Sequence, residues 1–498
     1  MILERYRGVI DDWQAFHEAN RTPEPVAFRS RATLMDAGKL RLRLQAGGFV
    51  IEPIEGVADY FRVVSGPGSV AQTVEHWLGF LHVQQAVMAL PSLALAPLPG
   101  ERVLDLCAAP GGKTAHLSEL MQEQGPLVAV DPKEKRIRGL LGNLYRLGCM
   151  NVVVIASDGR QLPAGALFDR VLVDAPCSGE GNYRRQKGRF RSGSRSFTTH
   201  VTELQEELLR RAVALTRPGG TVVYSTCTYA PEENEAVLDR VLRDAPVIME
   251  RIPLDITHAP GLTEWEGNRF DPQLQHAWRV YPHHLDSGGL FMARLRKEGS
   301  ADASAVGGVP GERESDGWST IPQGFFGENE DDANERIERS VGAMGQRFGL
   351  GPSTLGGVRW MVRGKHIWSH TAGEWPIPSW NHRPGSRWRV ISVGLRALRS
   401  GPGAGETPSS DFLTRWGGRI PPEHRFDVDD TALLQLLEGV SLPTRGLPSG
   451  PVPLAWNGLV LGRAVVTAKG LLHELGRSHA ERLSTLLRPP GTDPEGGT

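Results

Sequence analysis

Residues 102–120 read RVLDLCAAPGGKTAHLSEL. The opening RVLDL is a short β-rich run that ends at Asp105 and Leu106. Small residues follow from Cys107 to Gly112, and a helix is predicted from about Thr114, turning Leu117, Leu120 and Met121 inward. A turn of small side chains lets a ligand lie against the backbone, and the start of a helix offers free N–H groups to it.

The same pattern repeats outward from this segment. LVAV, VVVIA, RVLVD and TVVYST are further β-rich runs, each separated by a turn and a helical stretch. Strands alternating with helices predict an α/β fold built on a parallel sheet covered on both faces. Ile137, Leu140, Leu141, Leu144 and Leu147 form one apolar helical stripe that stops at Gly148, a position suited to a left-handed cap. Thr202-x-x-Gln205 reads as a capping box, and Pro231 followed by Glu232 and Glu233 as the start of another helix. VEHWLGFLHVQQAVMALPSLAL has helical spacing with a break at Pro91.

Four strands in succession deliver an acid to their carboxyl ends. Asp105 is followed by Asp131, which stands 20 residues after Gly111, then by Asp158 and Asp174. Ligands of open parallel sheets bind outside the carboxyl ends of the strands, so four acids meet one edge. GGKT resembles the end of a phosphate loop, but Cys107 stands where its first glycine belongs and Pro110 removes a backbone donor. Rows of acids suit phosphates poorly, and no G-x-G-x-x-G supports a dinucleotide oxidoreductase. S-adenosylmethionine (AdoMet) has a ribose, an adenine and a cationic sulfonium but no phosphate. It fits a small-residue turn and acidic strand ends best.

Lys and Arg total 56 against 57 Asp and Glu, which excludes a uniformly basic nucleic-acid coat but leaves room for a local basic patch. The four cysteines, Cys107, Cys149, Cys177 and Cys227, match no zinc spacing and are too few for a disulfide framework. Cys149 precedes a strand and reads as core. Cys177, in DAPCSG, and Cys227, in STCT, lie in polar turns at strand ends that face the same cleft as the small-residue turn. The N-terminus is charged from its fourth residue and no apolar stretch reaches membrane-spanning length, so a soluble cytoplasmic protein, with no membrane contact, is expected. Residues 299–318 and 400–410 read as breaks, and 489–498 as a disordered tail. Seven of the twelve tryptophans follow residue 350, among short strand-like runs such as WRVISVGL. They read as core of mixed or mostly β modules, with base stacking as the alternative.

VLDLCAAPGGKTAHL, AVDPKEKRIRGLLGNLYRLG, ASDGRQL, FDRVLVDAPCSGEG and VVYSTCTYAPEENEAVLDRVL follow one another here in the order of the Nol/Nop/Sun family of AdoMet-dependent RNA (cytosine-5) methyltransferases. The resemblance covers roughly residues 60–298, including YPHHLDSGGLFMARL, which looks like the family's last strand pair. GEG after the Pro-Cys is similar to the RsmF-like bacterial subgroup, and GPVPLAWNGLVLGRAVVTAKGLL weakly resembles its PUA-like RNA-binding module. The resemblance implies a Rossmann-like AdoMet methyltransferase core at 63–298. It also implies an N-terminal RNA-binding extension at 1–62, a linker at 299–340 and a C-terminal RsmF-like or PUA-like RNA-binding region at 341–488. Cys107, Ala108, Ala109, Pro110, Gly111, Gly112 and Lys113 would wrap the methionine part of AdoMet. Asp131 would hold the ribose and Asp158 the adenine edge, while Asp174 would line the space between cofactor and base. Cys227 would be the nucleophile, and Cys177 would assist release. No metal is expected, and the chain is expected to act as a monomer.

Cytosine C5 is a poor nucleophile, and a thiolate adding at C6 makes it enamine-like, which requires a cysteine held as thiolate. Reversal needs the C5 proton removed, a task for a second cysteine or a water. Which cysteine attacks is not decided by the residues alone. A Pro-Cys nucleophile is the DNA-enzyme solution and a Thr-Cys nucleophile the RNA-family one. The segment RRQKGRFRSGSR, 184–195, has six basic residues and no acid, and with Arg29, Arg31, Lys39, Arg41 and Arg43 it is a candidate for phosphate contacts. The expected substrate is small-subunit ribosomal RNA or the subunit itself, with tRNA second. A phosphate-loop NTPase and a non-catalytic RNA-binding assembly factor are the other classes to be distinguished.

Overall fold

A computed structural model describes residues 2–162, 167–186, 195–299, 318–324, 329–376, 389–400, 406–444 and 446–488. Most of the expected break at 299–318, residues 401–405 of that at 400–410, the tail from 489 and most of the basic segment, 187–194, lie outside the described residues; the rest of the second break holds a strand, Glu406–Pro408, and the start of a helix at Ser410.

The N-terminal part forms a small antiparallel sheet from β1 (Ala27–Ser30), β2 (Val50–Pro53), β3 (Tyr60–Ser65) and β4 (Leu81–Val83), in the order β2-β3-β1-β4. The central sheet follows with β5 (Val103–Asp105), β6 (Leu127–Asp131), β7 (Val152–Ala156), β8 (Phe168–Asp174) and β9 (Thr216–Thr226). These runs are rich in Val, Leu and Ile and almost wholly buried, as a sheet covered on both faces requires. All five are parallel, in the order β7-β6-β5-β8-β9. The chain direction of travel reverses between β5 and β8, which opens a crevice at their carboxyl ends. Next to β9 the sheet continues with antiparallel Leu290–Lys297 and then Trp278–Val280; of the strand pair expected in YPHHLDSGGLFMARL only the second strand lies in that segment, which opens instead on a short helix, Pro282–Leu285. On the far edge, Arg389–Val393 pairs antiparallel with β7, so a segment from the C-terminal part completes the central sheet.

Beyond residue 350 lie two four-stranded sheets. One joins Arg359–Arg363, His366–His370, Leu395–Ser400 and Glu406–Pro408, and the other joins Phe426–Val428, Gly450–Trp456, Leu459–Thr467 and Gly470–His473. Trp368, Trp375, Trp416 and Trp456 are buried, which is the core reading of these tryptophans. Among the described residues no helix is long and apolar enough to cross a membrane.

Three local expectations are corrected. VEHWLGFLHVQQAVMALPSLAL is not one broken helix. It folds as Val74–Trp77, strand β4, a 3-10 turn and a second short helix, Leu90–Leu95, which Pro91 opens rather than interrupts. Thr202 and Gln205 are no cap, because the helix already begins at Arg195. Pro231–Asn234 form a turn, and the helix begins at Glu235. The predicted helix 134–146 does end at Gly148, at φ 65°.

The arginine run also differs from expectation. Arg29 and Arg31 are fully buried. Arg29 pairs with Glu119, and Arg31 bonds Glu123 at 2.5 Å and the carbonyl oxygens of Leu147 and Ala115 at 2.8 and 3.2 Å. Burying a guanidinium demands pairing, which Arg31 has at all three nitrogens and Arg29 through Glu119, so these two residues fasten the N-terminal sheet to the central domain and are closed to RNA. Lys39 and Arg41 remain exposed, and Arg43 pairs with Glu75. Arg31→Ala, which strands two buried acceptors and a carboxylate, is expected to cost about 3–5 kcal/mol, read as a lower urea midpoint. The salt dependence of RNA binding should stay as in the parent protein.

Candidate active site

The adjacent parallel strands β8 and β9 are in register with Asp174 opposite Ser225. Cys177 and Cys227 therefore leave neighbouring strand ends at nearly the same height. Their Sγ atoms are 3.3 Å apart. Neither is packed away: both are partly exposed, whereas Cys149 is buried in the core as expected.

The small-residue turn closes over the same strand ends. After β5 it runs through Cys107–Pro110 into a helix at Gly112–Leu120, slightly earlier than Thr114. Gly111 has φ 102°, and a Cβ there would stand 2.8 Å from Leu140 Cδ1, so both backbone and space require glycine. Ala108 and Ala109 are buried, and Thr114 Oγ1 donates to Asp105 Oδ2 at 2.7 Å, pinning the helix to its strand. Burial pushes the Asp105 carboxyl up to about 7. Lys113 Nζ donates to Asp174 Oδ2 at 2.8 Å, and Ser225 Oγ to Asp174 Oδ1 at 2.9 Å. With its ammonium committed to Asp174, Lys113 is not poised for a phosphate, which argues against the phosphate-loop reading.

This environment treats the two sulfurs unequally. The hydrogen bond from Cys177 holds the Cys227 thiol below its ordinary range, against the opposing effects of burial and of the Asp174 charge; the Lys113 charge and an N–H from Asn182 at 3.2 Å act in the same direction as Cys177. Cys177 is pushed well above that range by its hydrogen bond to Cys227 and by burial. Both shifts favour the anion at Cys227 and the proton at Cys177. Cys107 is pushed up strongly by burial and by Asp105, which leaves it as an inert liner of the turn.

The remaining predicted residues are placed as follows. Asp131, at the end of β6, is fully buried; its Oδ1 accepts from Lys133 N at 3.0 Å and its Oδ2 faces the Arg136 guanidinium at 3.1 Å. The same guanidinium donates to Ala109 O at 2.6 Å, tying Asp131 to the turn. Asp158 lies two residues beyond β7, where Arg160 engages both of its carboxylate oxygens and holds it below the ordinary carboxyl range. Arg184 of the basic segment is buried and engaged with Thr22, Pro23, Asp286 and Ser287, so it is structural; Arg185 is exposed.

Several groups around the sulfurs were not read from the sequence. Glu233 Oε2 accepts from Ser178 N and from Gln205 Nε2, both at 3.0 Å, and Gln205 also donates to Pro176 O at 2.8 Å. Glu180 accepts from Tyr6 OH at 2.7 Å and from Thr228 Oγ1 at 3.1 Å. These two carboxylates brace the Cys177 loop against the Cys227 loop. Asp11, His283 and His284 form the one cluster with metal-ligand atoms among the described residues. There, His284 Nδ1 accepts from Tyr281 N–H at 3.2 Å, so its proton sits on Nε2, directed at Asp11 Oδ2 2.8 Å away. A metal-bound ring needs the opposite arrangement, and the cluster reads as a hydrogen-bonded support.

Thiols alkylate as thiolates. Cys227 should therefore react with iodoacetamide faster than Cys177 at neutral pH, with an inflection below that of an ordinary thiol. Lys113→Met and Asn182→Leu each remove a stabiliser of the anion, so each should move the Cys227 inflection to higher pH; peptide mapping of labelled protein across a pH series measures it.

Residues 92–296 match the family described as 16S rRNA methyltransferase RsmB/F. The chain is 36% identical over 289 residues to the human 28S rRNA (cytosine(4447)-C(5))-methyltransferase, covering 57% of this chain and 35% of that protein. It thus spans only about a third of that relative's length. It is 32% identical over 298 residues to the tRNA (cytosine(49)-C(5))-methyltransferase of Pyrococcus abyssi, covering 59% of this chain and 95% of the relative. A crystal structure of a methyltransferase homologue from Pyrococcus horikoshii superposes with a TM-score of 0.54 at 32% identity, over 59% of this chain and 94% of that one. A match of this identity over nearly the whole of the Pyrococcus proteins means that the chain belongs to the Nol/Nop/Sun family of RNA (cytosine-5) methyltransferases.

Proposed function

We propose that the chain methylates carbon 5 of cytosine in RNA with AdoMet as donor, through a covalent adduct between Cys227 and C6 of the base. The observation that carries this reading is the unequal sulfur pair, 3.3 Å apart, beside the Lys113–Asp174 ion pair at the carboxyl edge of the sheet.

The residues present suit AdoMet. Cys107, Ala108, Ala109, Pro110, Gly111, Gly112 and Lys113 form a backbone cradle for the amino-acid end. Asp131 offers a buried carboxylate to the ribose hydroxyls, and Asp158 stands toward the adenine end. AdoMet supplies an electrophilic methyl group when bound. Cys227 attacks C6 as the thiolate, which the Cys177 hydrogen bond, Lys113 and Asn182 favour. Asp174 accepts from the cytosine amino edge and holds the base between sulfur and donor. After transfer, a water takes the C5 proton and Cys227 leaves as the thiolate; in this reading Cys177 assists that release through the same water. The target base has to leave its stack to reach this depth.

Small-subunit ribosomal RNA is the substrate we favour, supported by the family match and by the Erwinia tasmaniensis ribosomal RNA small subunit methyltransferase F, 33% identical over 298 residues, 58% of this chain and 61% of that protein. The Pyrococcus abyssi relative supports tRNA as the second candidate. Residues 1–62 and 341–488 serve in this reading as RNA-holding extensions of the catalytic core at 63–298, acting in the cytoplasm as a monomer. Incubation with labelled AdoMet and unmodified small subunits, ribosomal RNA or tRNA should yield labelled 5-methylcytidine. Cys227→Ala should abolish it, and Cys177→Ala should accumulate a covalent protein–RNA adduct. The reverse pattern exchanges the two roles, and no labelled product with any RNA refutes the activity.

A further inference from the structure

A groove of about 630 Å³ that no step above uses opens next to the loop that carries Asn182. It lies between the N-terminal segment 20–27, the end of β4 with Gln84 and Gln85, and Tyr183–Arg185. Its size falls within the range of about 300–1,000 Å³ usual for ligand sites. Both ends of the catalytic machinery border it. Tyr183 follows Asn182, whose amide contacts Cys227 Sγ at 3.2 Å. Gln84 Nε2 lies 2.9 Å from where a Cβ on Gly112 would stand, so the opposite wall abuts the small-residue turn.

The walls are built rather than accidental. Arg184, buried behind Tyr183, donates to Thr22 O at 3.2 Å, Thr22 Oγ1 at 3.0 Å and Pro23 O at 3.1 Å, which fixes the 20–25 loop to the Cys177 loop. Glu24 is held by Gln85 Nε2 at 2.8 and 2.9 Å, and Gln84 Oε1 accepts from Tyr60 OH at 2.9 Å. Arg21 and Arg185 are exposed at the rim. A half-buried tyrosine ring, amides and an accepting carboxylate between two rim cations are the set that recognises a splayed nucleotide: ring for stacking, Glu24 for an amino-bearing base edge, arginines for phosphates.

We propose that this groove seats the nucleotide directly next to the target cytidine in a single RNA strand. The assignment rests on the RNA-methylation reading and deepens it, since it gives the enzyme a means of reading sequence beside the modified base.

The test uses the full chain with small-subunit ribosomal RNA and tRNA transcripts containing 5-fluorocytidine and a trace of 4-thiouridine. Fluorine at C5 blocks removal of the C5 substituent, so the enzyme stays linked to its target; irradiation then joins an adjacent 4-thiouridine to whatever it touches. Cross-links are expected within residues 20–27, 83–85 or 183–185. A variant with Arg21→Glu and Arg185→Glu should raise the KM for RNA at least tenfold. It should also flatten the plot of log affinity against log salt by about 0.7 for each lost phosphate contact, with AdoMet affinity unchanged. Adducts that cross-link elsewhere, or a variant with unaltered KM and salt slope, overturn the groove assignment alone. Absence of any adduct in the parent protein overturns the methylation reading and the groove with it.

Discussion

A hydrogen bond between two sulfurs organises this molecule's chemistry. At 3.3 Å, one proton serves both, and the side on which it rests is set by the surroundings of the pair. Lys113 and Asn182 favour the anion on the Cys227 side, while burial and the Asp174 charge oppose it. The surrounding contacts hold this arrangement in place. Asp174 holds Lys113 in place, Ser225 holds Asp174, and Glu233 and Glu180 keep the two loops from drifting apart. A pair of identical side chains thereby acquires two different roles, nucleophile and proton carrier.

The sheet makes such a contact achievable. Parallel neighbours in register deliver their carboxyl ends to one edge, and the crossover between β5 and β8 leaves the crevice open there. The N-terminal sheet then closes one flank through the buried Arg29 and Arg31 pairs, while Tyr6 reaches Glu180 from the chain's first turn. The N-terminal segment is in this sense a wall of the active site and not an appendage to it. A strand from the far C-terminal part, Arg389–Val393, seals the opposite edge of the central sheet.

Much of this was legible beforehand. The Val- and Leu-rich runs, the glycine turn and the acids at strand ends predicted the parallel sheet and its ligand-binding edge, because a two-sided sheet leaves a strong hydrophobic signature. The two cysteine loops were legible through their motifs. What escaped notice depends on distance in sequence. Asn182 reaches the Cys227 sulfur, and Gln205 and Glu233 reach the Cys177 loop, only through the tertiary fold; Thr202-x-x-Gln205 imitates a cap inside a helix. Arg29 and Arg31 look like a nucleic-acid patch until their partners, Glu119 and Glu123, are seen about 90 residues away. Composition records a charge but not whether it is buried and paired.

The central claim is that Cys227, and not Cys177, carries the bond to the base. Tandem mass spectrometry of the unmutated protein, digested after trapping on fluorinated RNA in the presence of AdoMet, reads this directly. The account predicts a nucleotide mass on the peptide containing Cys227, with Cys177 recovered as free thiol. A nucleotide on Cys177 with Cys227 free would contradict it.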